Sequence, residues 1–227
     1  MSPEVLSVIL LTLQVATVST LIVLLPATVL GYVLARYEFP GKNVLSALVG
    51  LPLVLPPTAV GFLLLRLFAV DGPLGRETLG FDLNILLTWK GAVIATATMS
   101  LPLVARTAKA TFEGINPRLE LMAHTLGYGR LATFFRYSLP MARRGLLGAV
   151  ILGFTRAMGE FGATVTIAGN IPGRTQTIAS AIFSAQQVGA QARADFFMLV
   201  AIVLGFLAIL SAELLGNGRT LPSLARP

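Results

Sequence analysis

The sequence predicts an all-α integral membrane protein, and its composition and the length of its apolar runs carry that prediction. Of 227 residues, 55% are hydrophobic and only 12% are charged, about half the charged fraction of an average soluble domain. Because one spanning helix needs about 20 mainly apolar residues, the apolar content suffices for roughly five or six spans. We therefore interpret residues 1–227 as a single transmembrane domain, with no separate soluble domain.

Five long apolar runs predict five transmembrane helices. The first run exceeds the apolar region of a cleavable signal peptide and is preceded only by an acidic residue, so we expect it to be retained. The third is the shortest, and Trp89 near its start suits the membrane interface. The predicted spans cover about residues 5–35, 44–70, 86–105, 145–168 and 196–216.

The distribution of basic residues predicts the orientation of these spans. With the N-terminus outside, eleven of the 17 Lys and Arg residues fall on the inner side and four on the outer side. Basic residues are enriched in cytoplasmic loops, so the N-terminus is expected outside, the C-terminus inside, and the long polar segment 106–144 in the cytoplasm. The net charge of +7 thus reflects membrane topology, and we expect no nucleic-acid partner.

The chain offers few side chains for catalysis or metal binding. It has no cysteine and a single histidine, which excludes thiol nucleophiles, iron–sulfur clusters and multi-histidine metal sites. A membrane enzyme needs His, Asp or Glu clustered at one membrane face, whereas the ten acidic residues here are dispersed. The chain also lacks a G-x4-G-K-[ST] phosphate loop. We therefore expect no enzyme, no cofactor and no metal site.

Three prolines interrupt the second predicted span. Pro52, Pro56 and Pro57 fall within six residues, where each removes a backbone donor and biases the preceding residue away from helical geometry. A regular helix therefore cannot pass through this segment undisturbed. Because broken backbone at membrane depth usually lines a cavity, these prolines are candidates for a translocation pathway or gate. A kinked helix of purely architectural purpose is the alternative.

Arg156 and Glu160 place two charges near the middle of the fourth predicted span. Their spacing of four puts them on one helical face, which otherwise carries only Gly and Ala. Such a face contacts protein or water instead of lipid. Two interpretations are open. The pair either locks helices together, or belongs to a pathway or gate in which Arg156 attracts an anion while Glu160 holds Arg156 in place.

The segment 106–144 contains a short amphipathic helix. Asn116 and Pro117 form an N-cap followed by a proline at the first helical position, and Gly127 suits the helix end. Between them, apolar residues recur with helical spacing. Such a helix either lies on the membrane surface or docks into a groove of a partner protein. The apolar stripe comprises Leu119, Met122, Ala123 and Leu126, opposite Arg118, Glu120 and His124.

At this segment the chain resembles the permease subunits of ABC importers, whose cytoplasmic loop carries the pattern E-A-A-x3-G-x9-I-x-L-P. Ala123, Gly127, Leu139 and Pro140 match it at the same spacing. Glu120 lies one residue before the glutamate of the pattern, and two further positions also differ. The resemblance implies that 106–144 is a coupling loop in which these five residues help to seat a helix in a cleft of the ATP-hydrolysing subunit.

Four further stretches are similar to the molybdate permease branch of that family. The resemblance implies a type I ABC importer permease fold, in a multi-pass subunit of the bacterial inner membrane that forms the pathway of an ATP-driven molybdate importer. Tungstate and sulfate permeases are close alternatives. A stand-alone channel or secondary carrier is another, although it needs no partner-facing loop. The stretches are Phe39-Pro40-Gly41-Lys42, Leu51-Pro52-Leu53-Val54-Leu55-Pro56-Pro57, Gly159-Glu160-Phe161-Gly162-Ala163-Thr164 and Asn170-Ile171-Pro172-Gly173.

The resemblance also implies the partners of the chain. They are a second copy of this subunit in a homodimer, two ATP-binding subunits on the cytoplasmic side, an external substrate-binding protein and membrane lipid. Because a pathway that holds its anion tightly cannot release it, selectivity is expected mainly in the binding protein. The outer segment 169–195, which contains Arg174, is the candidate docking site for that protein, with a plain solvated loop as the alternative.

Overall fold

The computed structural model describes residues 3–216, and within that range the chain is α-helical with short connections and no strand. A π-helical segment, Phe134–Ser138, joins two of the helices without a break. In chain order the helices are α1 (Pro3–Arg36), α2 (Lys42–Val54), α3 (Pro57–Phe68), α4 (Arg76–Leu79), α5 (Trp89–Glu113), α6 (Pro117–Thr125), α7 (Arg130–Thr133), α8 (Leu139–Met158), α9 (Gly162–Ala168), α10 (Ile178–Gln187) and α11 (Gln191–Gly216).

Three single helices and two bent pairs can cross a membrane. The helices α1, α5 and α11 are each long and apolar enough on their own. The second candidate span combines α2 and α3 with a bend of 110°, and another combines the stretch from α7 through α8 with α9, bent by 62°. The all-α membrane prediction is confirmed, and counting each bent pair as one span gives five.

The helices extend beyond the apolar runs from which the spans were predicted. α5 continues to Glu113, eight residues past the predicted span end at 105, and α11 begins at Gln191 instead of 196. Charged side chains are compatible with a helix once it leaves hydrocarbon, and Lys109 pairs with Glu113 at 3.6 Å on the exposed side of α5. Apolar runs thus mark the membrane-embedded part of a helix, not its ends.

α5 forms the centre of the bundle. Its apolar stretch is 61% buried, against 11% for α11, which lies at the outside. Small residues bring its neighbours close: a Cβ built on Gly31 of α1 would lie 2.7 Å from Ala108 Cβ, and one on Gly145 of α8 would overlap the side chain of Thr111. Because lipid tails are as apolar as the side chains, helices in a membrane associate through such close packing.

The bundle has two ends of different construction. At the loop end, α1 and α5 finish beside α6, α7 and the start of α8. At the far end, Leu87 N donates to Ile167 O at 3.0 Å and Ile178 N donates to Thr12 Oγ1 at 2.9 Å. Basic residues lie mainly at the loop end, as counted from the sequence. Two residues of that count, Arg219 and Arg226, lie outside the described residues.

Candidate functional site

The proline-rich segment breaks the second candidate span, as the sequence indicates. Pro52 lies inside α2, which ends at Val54, while Leu55 and Pro56 have extended backbone with ψ of 143° and 135°. Pro57 then starts α3 at the position where its missing N–H costs nothing. The residues around the break are exposed, and Val54 retains 82% of its accessible surface. The broken backbone therefore faces a partner, lipid or a water-filled space.

A second break separates α8 from α9, where the sequence was expected to form one continuous helix. α8 ends at Met158, and α9 begins at Gly162. The expected single face through Arg156, Glu160 and Ala163 therefore does not exist. Glycine disfavours a helix interior by about 1 kcal/mol relative to alanine, and the two glycines at 159 and 162 flank this turn. They were the sequence signal for the break.

Arg156 and Glu160 pair across this break. Arg156 Nη1 lies 2.7 Å from Glu160 Oε2, while Glu160 Oε1 accepts the backbone N–H of Ala163 at 2.9 Å. The side chain of Glu160 is 2% exposed and that of Arg156 is 29% exposed. The buried carboxylate thus has a partner on each oxygen, one at the end of α8 and one in the first turn of α9. Glu160 fixes the bend, and Arg156 presents a partly exposed cation.

The two breaks meet in the folded chain. A Cβ built on Gly162 would lie 2.9 Å from Pro57 Cβ, and one on Gly61 would lie 2.9 Å from Ala163 O. The start of α3 therefore lies against the start of α9, so the two proline and glycine interruptions form one site. Of the sequence candidates, Pro57 lies in this contact, and Pro56 and Pro52 precede it in the chain. Arg156 lies near the end of α8, and Glu160 lies in the turn between α8 and α9.

At the loop end, the predicted helix over 117–125 is confirmed. The side chain of Asn116 accepts the backbone N–H of Arg118 at 3.0 Å, and Pro117 occupies the first turn. The helix ends in a Schellman motif, in which Tyr128 N donates to Ala123 O at 3.1 Å. Gly127 has a φ of +87°, which only glycine adopts without strain. The glycine of the coupling-loop pattern is thus required by the backbone.

The faces of α6 differ from the expected ones in two residues. Ala123 packs inward with 2% exposure, and Glu120, expected on the polar face, is buried with 8% exposure. Six other apolar side chains of this region are exposed. We call their surface the apolar loop face; it comprises Leu119, Leu121, Met122, Leu126, Leu131 and Phe135. Hydropathy alone could not separate the two faces, because an acidic residue is assigned to solvent unless its partner is known.

The partners of Glu120 come from two other segments. Arg36 Nε lies 3.0 Å from Glu120 Oε1, and Ser138 Oγ donates to the same oxygen at 2.7 Å. Arg36 Nη2 also donates to Ile115 O at 2.9 Å. One arginine therefore joins the end of α1 to the turn before α6 and to α6 itself. Neither Arg36 nor Ser138 was a sequence candidate; the offset of Glu120 from the coupling-loop pattern was the available signal.

Leu139 and Pro140 lie in the first turn of α8, directly after the π-helical segment. Leu139 is half-buried against Phe112, beside the rings of Tyr32 and Phe134. Ring centroids of Tyr32 and Phe134 are 4.7 Å apart in an edge-to-face arrangement. These two pattern residues therefore begin the helix that leads to Arg156, with Leu139 half-buried and Pro140 exposed.

The far end carries a cavity with two cations and no carboxylate. Its volume is about 470 Å³, and Lys90, Arg174, Gln14, Asn84 and Trp89 belong to its lining. Segment 169–195 was expected to be a loop, but it contains the ten-residue helix α10, which packs against α1 and α11. Of this segment, Gly173 and Arg174, which precede α10, line the cavity. Among residues 3–216, no group of three or more metal-ligating side chains could hold a metal ion.

The chain matches a family model described as "Binding-protein-dependent transport system inner membrane component" over residues 27–218. It belongs to this family. Molybdenum transport system permease protein ModB of Escherichia coli (strain K12) is 39% identical over 211 residues, which cover 92% of each chain. ModB of Haemophilus influenzae is 40% identical over 93% of each chain. Sulfate transport system permease protein CysT of Salmonella typhimurium is 38% identical over 80% of this chain and 66% of that protein.

Solved ABC transporter structures share the fold. A bacterial ABC transporter involved in the import of the acidic polysaccharide alginate superposes with a TM-score of 0.78, covering 97% of this chain and 82% of that one at 17% identity. An inward-facing MetNI methionine ABC transporter gives a TM-score of 0.72 and covers 96% and 98% at 17% identity. The permease fold implied by the coupling-loop pattern is therefore confirmed, and the chain is an inner membrane component.

Proposed function

We propose that this chain is the membrane-spanning subunit of an ATP-driven molybdate importer. The observation that carries the proposal is its 39–40% identity to molybdenum permeases over at least 92% of both chains. The sulfate permease is nearly as similar where it aligns, but only 66% of its length aligns. Sulfate and tungstate are therefore the alternative substrates.

Uptake in a cell that lacks its own molybdate importer tests the substrate. The chain is expressed with a cognate ATPase and binding protein, and uptake of labelled molybdate is measured with and without excess tungstate or sulfate. We expect ATP-dependent molybdate uptake that a tenfold excess of sulfate leaves unchanged, because roughly hundredfold discrimination is within reach of one hydrogen-bonding site. Sulfate uptake without molybdate uptake would assign the chain to the sulfate branch.

We propose that the apolar loop face docks in a cleft of a separate ATP-binding subunit. A group of exposed apolar side chains marks a partner or lipid interface, and α6 is held to its own chain by its buried residues Glu120 and Ala123. This arrangement supports an orientation with the loop end in the cytoplasm and the N-terminus outside. The ATPase thus supplies the hydrolysis, and this chain is not an enzyme.

Substitution on the apolar loop face tests the docking. Leu126 is 73% exposed, so Leu126→Glu leaves the chain's own packing intact, unlike changes at Ala123 or Gly127. We expect the ATPase to be lost on co-purification. Val188→Glu, at a far-end residue that is 79% exposed, is the matched control and keeps the ATPase bound. Equal recovery of the ATPase with both variants would contradict the docking.

We propose that the joined breaks line the translocation pathway between two copies of this subunit. Pro56 and Pro57 are exposed at membrane depth, where lipid cannot satisfy free carbonyl groups. Arg156 offers a partly exposed cation there, and a single weak cation suits an anion that must leave again. In a homodimer the second copy would bring an equivalent break, so the two Arg156 side chains would border one path as gate residues.

We propose that the far-end cavity receives acidic side chains of the external binding protein. Lys90 and Arg174 are both exposed in it, and neither has an ion-pair partner within the described residues. Electrostatic complementarity of this kind speeds association and fails at high salt. We expect Arg174→Glu to lower the ATPase stimulation given by the binding protein, with unchanged hydrolysis in its absence. Stimulation equal to that of the unmodified transporter would rule out the site.

A further inference from the structure

α6 is fastened to the rest of the chain mainly through Glu120. Only Glu120 and Ala123 of its nine residues are buried. Glu120 Oε1 receives both Arg36 Nε, at 3.0 Å, and Ser138 Oγ, at 2.7 Å. Ser138 leads directly into α8, whereas Arg36 is the last residue of α1. The glutamate thus connects the exposed helix to two spans at once.

Arg36 is suited to this connection by its geometry. The guanidinium uses Nε for Glu120 and Nη2 for Ile115 O, so its planar fork holds two points of the loop in a fixed relation to α1. A lysine has one charged nitrogen and cannot reproduce this fork. The side chains of Arg36 and Glu120 are only 9% and 11% exposed, which protects the pair from water and salt.

The ion pair of Lys42 and Glu38 at the same end differs from the Arg36–Glu120 pair in its exposure and in its sequence separation. Lys42 Nζ lies 2.6 Å from Glu38 Oε1, but the glutamate is 87% exposed and only four residues away in sequence. Such exposed pairs contribute little, because solvent and side-chain entropy offset the attraction. Arg36 and Glu120 are 84 residues apart and join separate helices. Of these two pairs, only Arg36 and Glu120 can transmit a displacement between helices.

We propose that Arg36 is a positioning residue that locks α6 to the end of α1, so that the two helices move as one body when the ATPase displaces the apolar loop face. This inference rests on the proposed function. Glu120 then acts within this chain instead of contacting the ATPase, which accounts for its offset from the coupling-loop pattern. A displacement of α6 reaches α8 because the two helices are connected along the chain through α7 and the π-helical segment. The contacts of Arg36 make α1 move together with them.

Distance measurement in the assembled transporter tests the lock. The chain has no cysteine, so Val29→Cys on α1 and Thr125→Cys on α6 place spin labels at two exposed sites of each copy. Labelled subunits are diluted with unlabelled ones, so that the distance within one copy is measured. Electron double-resonance distances are recorded without nucleotide and with ATP and binding protein, in a cysteine-free ATPase background. We expect one distance distribution common to both states. When Arg36→Gln is introduced into the doubly labelled chain, the distance distributions without nucleotide and with ATP and binding protein should differ. When Lys42→Gln is introduced instead, they should remain the same.

Transport stoichiometry provides the second readout. In proteoliposomes, Arg36→Gln should raise the ATP hydrolysed per anion imported by roughly tenfold, within the usual range of coupling between sites. Lys42→Gln should leave that ratio unchanged. Arg36→Lys, which retains the charge but not the fork, should give an intermediate ratio.

Two results would overturn the lock. One is a distance between the labels that changes with nucleotide while Arg36 is present, by more than the width of the nucleotide-free distribution. The other is an equal ratio of ATP to anion in Arg36→Gln and Lys42→Gln. A spin-labelled transporter that imports normally but shows a changing distance overturns this inference alone. Absence of ATP-dependent uptake by the unmodified chain overturns the proposed function together with it.

Discussion

Two arginine–glutamate pairs organise this chain, and they differ in what they hold. Arg156 and Glu160 are four residues apart and stabilise a local bend, because the same carboxylate also caps α9. Arg36 and Glu120 are 84 residues apart and join two helices that would otherwise end separately. The structural role of a charged residue beside an apolar run therefore depends on where its partner lies. A partner a few residues away stabilises a local bend, whereas a partner on another helix joins the two helices.

The largest effect is expected from Glu120→Ala. The substitution leaves Arg36 buried without its carboxylate, and breaking a buried pair in this way costs about 3–5 kcal/mol. Thermal unfolding of the purified subunit in lipid nanodiscs measures the loss. The double variant Arg36→Ala with Glu120→Ala should recover part of it, since no charge remains unpaired. An unfolding temperature equal to that of the unmodified chain would show that the pair contributes nothing.

An intermediate effect is expected from Glu160→Gln. The amide oxygen can still accept the N–H of Ala163, but Arg156 loses its counter-charge, so we expect a cost of about 1–3 kcal/mol. Molybdate uptake per assembled transporter should fall further than stability alone explains, because Arg156 is no longer held in place. Arg156→Lys is the companion variant, which keeps a cation without the guanidinium geometry. Full uptake and normal protein levels in both variants would eliminate the gate role.

The smallest effect is expected from Glu38→Gln, at the exposed pair with Lys42. Pairs of this kind contribute about 0–1 kcal/mol, so unfolding temperature and uptake should both stay within error of the unmodified chain. Raising the salt concentration should not change this outcome. A loss comparable to that of Glu120→Ala would mean that the loop end depends on surface charge instead of on its buried pair.

Much of the fold could be predicted from hydropathy and helix end signals. Apolar runs predicted the spans, and Asn116, Pro117 and Gly127 predicted the bounds of α6, because capping and positive φ depend on local residues. The break at Pro56 and Pro57 could also be predicted from the local residues alone. These features require no knowledge of what packs against them.

Features that depend on distant contacts could not be predicted in this way. Glu120 was assigned to a solvated face because its partner is 84 residues away. Gly159 and Ala163 were interpreted as small residues on one helical face, although the chain turns at Glu160 between them. The helix α10 lies in a segment rich in polar residues, and its apolar residues gain their place from distant elements: Ile178 and Ala181 pack against Val8 and Phe197, and Ile178 N donates to Thr12 Oγ1.

The neutral pairing at the bend between α8 and α9 determines which forces can move it. Moving one elementary charge through a membrane potential is worth about 2.3 kcal/mol per 100 mV. Arg156 and Glu160 carry opposite charges and lie 2.7 Å apart, so they traverse the electric field together and the two amounts of work cancel. The voltage across the bilayer therefore supplies almost no drive to the bend. Under the proposed function, movement there would be driven along α8 from the loop end.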